Sequence, residues 1–188
     1  MSRLLLSLAC LFPLFAASSL TQADARPDHA DRLPAALLAQ HQKYPDCLRL
    51  DDPAMPRRGA SFSARLDKKT RIYGILCEPS AYNWPYAIYI VRNGNAGAAE
   101  RLNFAAYGEN GWYGTNVLYN AYYNKENKML QAFSKARGTG DCGSKSSLKW
   151  DGYELGLAEY RYKENCDGEI KRPFPLIYKR FVHKSSHR

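Results

Sequence analysis

Residues 148–161 read Leu-Lys-Trp-Asp-Gly-Tyr-Glu-Leu-Gly-Leu-Ala-Glu-Tyr-Arg. Asp151-Gly152 separates two short alternating runs. In that setting Asp-Gly signals a β-hairpin, because both central residues of the tightest turn take positive φ and these residue types tolerate it. The spacing predicts strands over 148–150 and 153–161. Leu155 and Leu157 then share a face with Tyr153, and Glu154 points away from it. Glu154 and Glu159, five apart, fall on opposite faces.

Similar signals recur upstream. Residues 61–66 alternate, and 71–76 and 86–92 are rich in Ile, Val and Tyr, which suit a pleated surface. In 86–92, Tyr86, Ile88 and Ile90 share one face and Ala87, Tyr89 and Val91 the other, so this strand is expected to be covered on both sides. Asn93-Gly94-Asn95 is turn chemistry. Residues 101–106 alternate again, and 108–114 read as a Gly- and aromatic-rich loop. Strands over 117–123 and 129–134 flank Asn124-Lys125-Glu126-Asn127, a hairpin with a four- or five-residue loop. Pro173 and Pro175 bracket a break before a last strand over 176–182. One short helix is expected, with Asp31 as cap, Pro34 in its first turn, Leu33, Leu37 and Leu38 as its apolar stripe and Pro45 as its end. No extended helical pattern follows. The expected class is mostly β: an antiparallel sheet of hairpins (meander, sandwich or partial barrel), one short N-terminal helix and two disulfides.

The chain has 188 residues, 45% hydrophobic and 24% charged, which is enough for one buried core and too apolar for a disordered chain. The expected division is a signal peptide over 1–25, a polar leader and helix over 26–46, one β-rich domain over 47–182 and a basic tail over 183–188. Arg3, an apolar run over 4–15 and Ala23-Asp24-Ala25 have the order of a secretory signal. The run is too short to span a bilayer as a helix, and no second apolar segment follows. A periplasmic or secreted product is expected, with no integral membrane segment.

Without the leader four cysteines remain: Cys47, Cys77, Cys142 and Cys166. An even count in an exported chain implies two disulfides. Of the three pairings, Cys47–Cys77 and Cys142–Cys166 are preferred, because neighbours in sequence close the shortest loops. The second should stabilise the fold by about 3–4 kcal/mol in the chain-entropy model. A zinc site wants close Cys-x-x-Cys knuckles, which are lacking, so neither metal nor cofactor is expected.

His29 and His41 precede the β region and His183 and His187 follow it, so all four are expected to be solvated rather than catalytic. Glu109, Asp141, Glu154 and Glu159 are candidate carboxylates for acid–base work, and Asp141, between glycines, is better read as a turn former that orients a disulfide. Trp84, Tyr86, Trp112 and Tyr113 are candidate ligand-stacking rings. Lys171, Arg172, Lys179, Arg180, Lys184 and Arg188 fall in an end segment with no acid, within a chain of net charge +9. Lys179 and Arg180 are therefore candidates for contact with an envelope polyanion.

Lys135-Ala136-Arg137-Gly138-Thr139-Gly140-Asp141-Cys142-Gly143, Trp150-Asp151-Gly152, Leu155, Cys166 and Pro175-Leu176-Ile177-Tyr178 resemble the C-terminal part of a bacterial secreted family known as domain of unknown function 1176. Cys77 with Ala81-Tyr82-Asn83 resembles its other cysteine motif. The likeness covers roughly residues 47–180. It implies export and pairing of Cys142 with Cys166. It also implies a tight bend at Gly138, Gly140 and Gly143 that Trp150 covers. It brings no catalytic residue or cofactor. Family members are longer and richer in cysteine, and the basic tail is outside the pattern.

The expected role is that of a non-catalytic envelope protein binding a cell-wall polymer, a polyanion or an exported protein, inhibitor-like toward a wall hydrolase in one version. Nucleic acid is not the expected partner. The alternative is a small carboxylate-dependent hydrolase with Glu109 or Asp141 as acid or base. Intact-mass measurement of exported material should find a chain that begins near Arg26; an uncleaved leader would overturn the export reading.

Overall fold

The computed structural model describes residues 33–49, 52, 54, 61–170 and 173–180. The leader, Asp31, His29, His183, His187, Lys171, Arg172, Lys184 and Arg188 lie outside the described residues.

Twelve strands are assigned among the described residues. Strands β1 (Ser61–Arg65), β2 (Thr70–Leu76) and β3 (Pro85–Arg92) form an antiparallel meander. The far edge of β3 is shared by β4 (Glu100–Arg101) and β7 (Leu118–Tyr119), which completes the first sheet. The second sheet has the order β12 (Leu176–Lys179), β11 (Leu155–Lys163), β10 (Gly143–Trp150), β9 (Met129–Lys135), β8 (Tyr122–Asn124). Strands β5 (Phe104–Gly108) and β6 (Gly111–Thr115) pair only with each other.

Strand β3 is apolar on both faces and buried on both, as its sequence predicts. Tyr86, Ile88 and Ile90 meet Leu130, Ala132 and Leu148 of the second sheet in the main core. Ala87 and Tyr89 pack with Ile75, Cys77 and Leu37 in a second cluster behind the first sheet. Helix α1 (Ala35–His41) supplies Leu37. Its stripe is corrected: Leu37 and His41, one turn apart, are the buried pair, and Leu38 is only half-buried. The helix starts after Pro34 and ends at His41, before Pro45.

Both expected disulfides are formed, Cys47–Cys77 and Cys142–Cys166. The first ties the segment after α1 to the end of β2. The second ties the loop before β10 to the loop after β11.

Several local expectations are corrected. The hairpin at Asp151-Gly152 is present, but its loop runs from 151 to 154, because Trp150 pairs with Leu155. Only Gly152 takes positive φ; the Asp151 carboxylate closes the loop by accepting from the Tyr153 and Glu154 amides at 2.9 Å. The 117–123 run breaks into β7 and β8 at Asn120, whose φ is 48°. The Asn120 amide donates to the Phe133 carbonyl at 2.8 Å and accepts from the Trp84 amide at 3.1 Å, so it clasps the two sheets. Asn83 does the same through the backbone of Lys135, at 2.7 and 3.0 Å. The 101–106 run divides into β4 and β5, and residues 108–114 form most of a β-hairpin rather than a loop. Its turn is Glu109-Asn110, with Gly111 at φ 93°. The loop at 125–128 has the four residues expected.

A bulge at Ala158 reverses the alternation of β11: Leu148 faces Leu157, and Ser147 faces Glu159. Leu155, Leu157, Tyr160 and Tyr162 consequently share one face, so simple parity does not separate Glu154 from Glu159. Trp150 does not cover the Cys142–Cys166 bridge. It lies at the other end of β10, where its indole donates to Asp67 at 2.9 Å.

Asn120→Ala should cost about 1–3 kcal/mol in a denaturant titration, because Ala tolerates the positive φ less well than Asn and the part-buried Trp84 amide and Phe133 carbonyl lose their side-chain partner. Cys142→Ala and Cys166→Ala should destabilise equally, with little added by the double change; additive losses would show that the two sulfurs do not act as one bridge.

Candidate functional site

The shared face of β11 has two halves. Leu155 and Leu157 belong to the core between the sheets. Tyr160 and Tyr162, with Tyr178 opposite Tyr160 on β12, extend past it. The β5–β6 hairpin covers this aromatic half. Trp112 meets the Tyr160 ring edge-on at 5.2 Å and Tyr178 at 6.3 Å; Tyr107 meets Tyr162 at 5.6 Å. The Tyr107 amide donates to the Tyr160 hydroxyl at 3.0 Å. These ring contacts, rather than a strand ladder, seat the hairpin.

Next to the hairpin the loop after β11 is fixed by Asp141. This carboxylate is fully buried. It accepts from Arg137 Nε at 2.8 Å and NH2 at 2.5 Å, from the Thr139 hydroxyl at 2.6 Å and from the Gly168 amide at 2.7 Å. The Arg137 guanidinium, followed by Thr139, holds it far below the usual carboxylate range. Gly143, at φ 121°, leaves room for the close approach of the end of β9: a Cβ there would sit 2.1 Å from the Ser134 carbonyl oxygen. Asp141 and Cys142 thus pin residues 166–168 from adjacent positions, which agrees with the turn-forming reading. With its donors already in place and no exposure, Asp141 is not a partner for Glu109 in acid–base chemistry.

Between the hairpin turn and this loop lies an open cleft of about 600 Å³. Tyr107 and Glu109 form one wall, Tyr162, Glu164 and Asp167 another, and Pro173, Pro175 and Ile177 a third. Ile177 reaches it because a second irregularity, opposite Arg161, leaves that residue without a pairing partner on β11. Asp167 accepts from Lys163 Nζ at 2.6 Å, which neutralises both groups. Burial raises the Tyr162 phenol, and the charges of Glu164 and Glu109 raise it further.

The candidate residues chosen from the sequence do not converge. Trp84 packs against the main core and donates its indole N–H to the Ser80 carbonyl at 2.9 Å. Tyr86 is buried in that core, 7% exposed. Trp112 and Tyr113 are on β6, 47% and 58% exposed. Lys179 stands opposite Glu159, and Arg180 lies 3.8 Å from Asp151 and 3.9 Å from Glu154. Of the residues named from the sequence as candidate carboxylates, Glu109 alone lines the cleft, and Tyr107, at the start of the aromatic-rich segment, lines it too; Tyr162, Glu164 and Asp167 are not candidates from the sequence. The Tyr-x-Tyr spacing at 160–162 puts both rings on one face, and what the bulge at Ala158 hides from the sequence is that Leu155 and Leu157 share it.

His41 is corrected from solvated to buried, 1% exposed. Its Nδ1 lies 3.0 Å from the Tyr89 hydroxyl, and its Nε2 has no hydrogen-bond partner among the described residues. Burial, then the Arg101 charge, lowers its pKa to about 4. Arg101 pairs with both Asp46 oxygens, at 3.2 and 2.8 Å, and lies 4.3 Å from the Tyr44 ring centroid. This cluster braces the chain between α1 and Cys47 against the back of the first sheet.

Two packed antiparallel sheets, a hairpin seated on tyrosines and two disulfide cross-links define a small stapled β domain with one open end. The chain belongs to the family described as protein of unknown function DUF1176, whose model matches residues 13–179. It is similar to the uncharacterized protein YpfG of Escherichia coli (strain K12), 29% identical over 112 residues, which is 59% of this chain and 32% of that protein. The chain therefore matches about a third of the length of that curated relative. No solved structure matches it significantly.

His41 binds a proton more readily unfolded, near pH 6.5, than folded, near pH 4. Its contribution is present above pH 6.5 and is lost as pH falls through that window, up to about 3 kcal/mol. Thermal melts should show that loss, and His41→Gln should flatten the curve between pH 6.5 and 4 while leaving the loss below pH 4 that Asp46 and Asp141 cause.

Proposed function

We propose that this domain is a non-catalytic binding module of the cell envelope and that the cleft at the hairpin turn is its working surface. One observation carries the reading. The walls of the cleft come from segments that the fold takes trouble to immobilise: one by ring stacking, another by the Cys142–Cys166 bridge and Asp141. Rigid walls lower the ordering cost of binding. The buried Asp141 and His41, by contrast, are committed to bracing the scaffold. Two disulfides suit an oxidising compartment, which supports the periplasmic or secreted location expected from the leader. Among the described residues no helix is long and apolar enough to cross a membrane. An inhibitor-like role toward a wall hydrolase is one form of this reading, by analogy with other small rigid domains.

A second reading keeps the hydrolase but changes its residues. Glu109 and Glu164 line one cleft, as paired carboxylates for glycoside hydrolysis would.

The test is retention of the exported protein on isolated envelope polymers and on periplasmic protein, compared with Asn165→Trp and Ile177→Arg. Both positions are exposed cleft residues, so these variants should fold normally and fill the site. Loss of retention in both variants supports a binding module at the cleft. Equal retention overturns this site, and release of soluble sugar fragments by the wild type, lost in Glu109→Gln, overturns the non-catalytic reading.

A further inference from the structure

We propose that the cleft takes an organic cation: an ammonium or guanidinium group carried on an aliphatic stem. The proposal deepens the binding-module reading and rests on it. The chain as a whole carries a net charge of +9, so a general affinity for cations is not expected of it. The cleft departs from that balance. Among the described residues its one lysine, Lys163, is 11% exposed and is already held by Asp167 and by the Glu169 carbonyl at 2.8 Å. Glu109 and Glu164 come to the cleft from different segments, the β5–β6 turn and the loop after β11. Both residues are exposed, and neither carboxylate has an ion pair or hydrogen bond among the described residues. Both lie within electrostatic reach of the Tyr162 ring, whose phenol is raised first by burial and then by the charges of Glu164 and Glu109.

The remaining surface suits the rest of such a ligand. The Tyr107 and Tyr162 rings line the same space. A cation gains from an aromatic face as well as from a carboxylate, and the two together are how ammonium and guanidinium groups are commonly held. Pro173, Pro175 and Ile177 give an apolar strip for methylene groups. The volume of about 600 Å³ is that of a small-molecule or side-chain site, not of an extended protein interface. A polyanion meets the wrong sign of charge here. A neutral sugar would use the rings and leave both carboxylates without a countercharge.

The shared chemistry can come from a free polyamine or from a lysine or arginine side chain of an extended peptide. The disulfide-intact full chain is titrated calorimetrically at low salt with spermidine, the amide of Gly-Arg-Gly, the amide of Gly-Gln-Gly and chitotetraose. The expected result is saturable binding of a cationic probe, none of Gly-Gln-Gly, and weakening as salt rises. Glu109→Gln or Glu164→Gln should each lower affinity about tenfold with the melting temperature unchanged. Preference for the arginine peptide assigns the source to protein, and preference for spermidine assigns it to a free amine; either supports the proposal. No binding of a cationic probe, or binding that survives both substitutions together, overturns it. Binding of chitotetraose alone, indifferent to both substitutions, also overturns it while leaving the binding-module reading intact. Cleavage of chitotetraose would instead overturn that underlying reading.

Discussion

The burial of β3 on both faces is the constraint from which the rest of the architecture follows. A strand carrying Tyr86, Ile88 and Ile90 on one side and Ala87, Tyr89 and Val91 on the other cannot sit at the surface of a single sheet. Its apolar area, at roughly 25 cal/mol per Å², requires cover on each side. The second sheet covers one face with Leu130, Ala132 and Leu148. The other face is covered by a seven-residue helix, which is too short to be stable alone, with Ala96, Ala99 and Val117 packed beside it. Cys47–Cys77 and the Arg101–Asp46 pair hold that helix segment in place. The cost is a histidine kept neutral in a buried position.

The open end of the molecule follows from a different interruption. If β11 alternated regularly, Leu157 and Tyr160 would face opposite ways, and either the core or the aromatic platform would be lost. One extra residue, Ala158, lets the strand serve both. The hairpin then has a tyrosine surface to rest on, and the cleft is the gap left between its turn and the cross-linked loop. The second irregularity, at Ile177, shapes the remaining wall. The shape of the cleft is thus a result of two register shifts and one buried carboxylate.

Membership in a family of unknown function supplies no reaction to explain. The distribution of charge gives more guidance. Titratable groups that are strongly perturbed, Asp141 and His41, brace loops and the helix, and their perturbation has a structural explanation. The groups left open, Glu109 and Glu164, are exposed carboxylates that line one cleft. Strongly perturbed acidity, which often marks a functional site, has a structural cause at both Asp141 and His41.

The sequence alone determined the features that depend on local chemistry: strands over 61–66, 71–76 and 86–92, each within a residue of its observed bounds, the hairpin loop before β9, the hairpin at Asp151-Gly152, the two-sided burial of β3 and a preference for the two disulfide pairings that form. Each is set by alternation, turn residues or loop closure within a few tens of residues. Contacts between distant segments decided the rest. Asn120 broke one predicted strand because its amide was worth more as a clasp between sheets than as a ladder residue. His41 went inside because the Tyr89 hydroxyl and the first sheet's back face were waiting for it. The cleft gathered Tyr107, Tyr162 and Glu164 around Glu109 because a single unpaired residue in β11 reversed a count that sequence parity assumes to be unbroken.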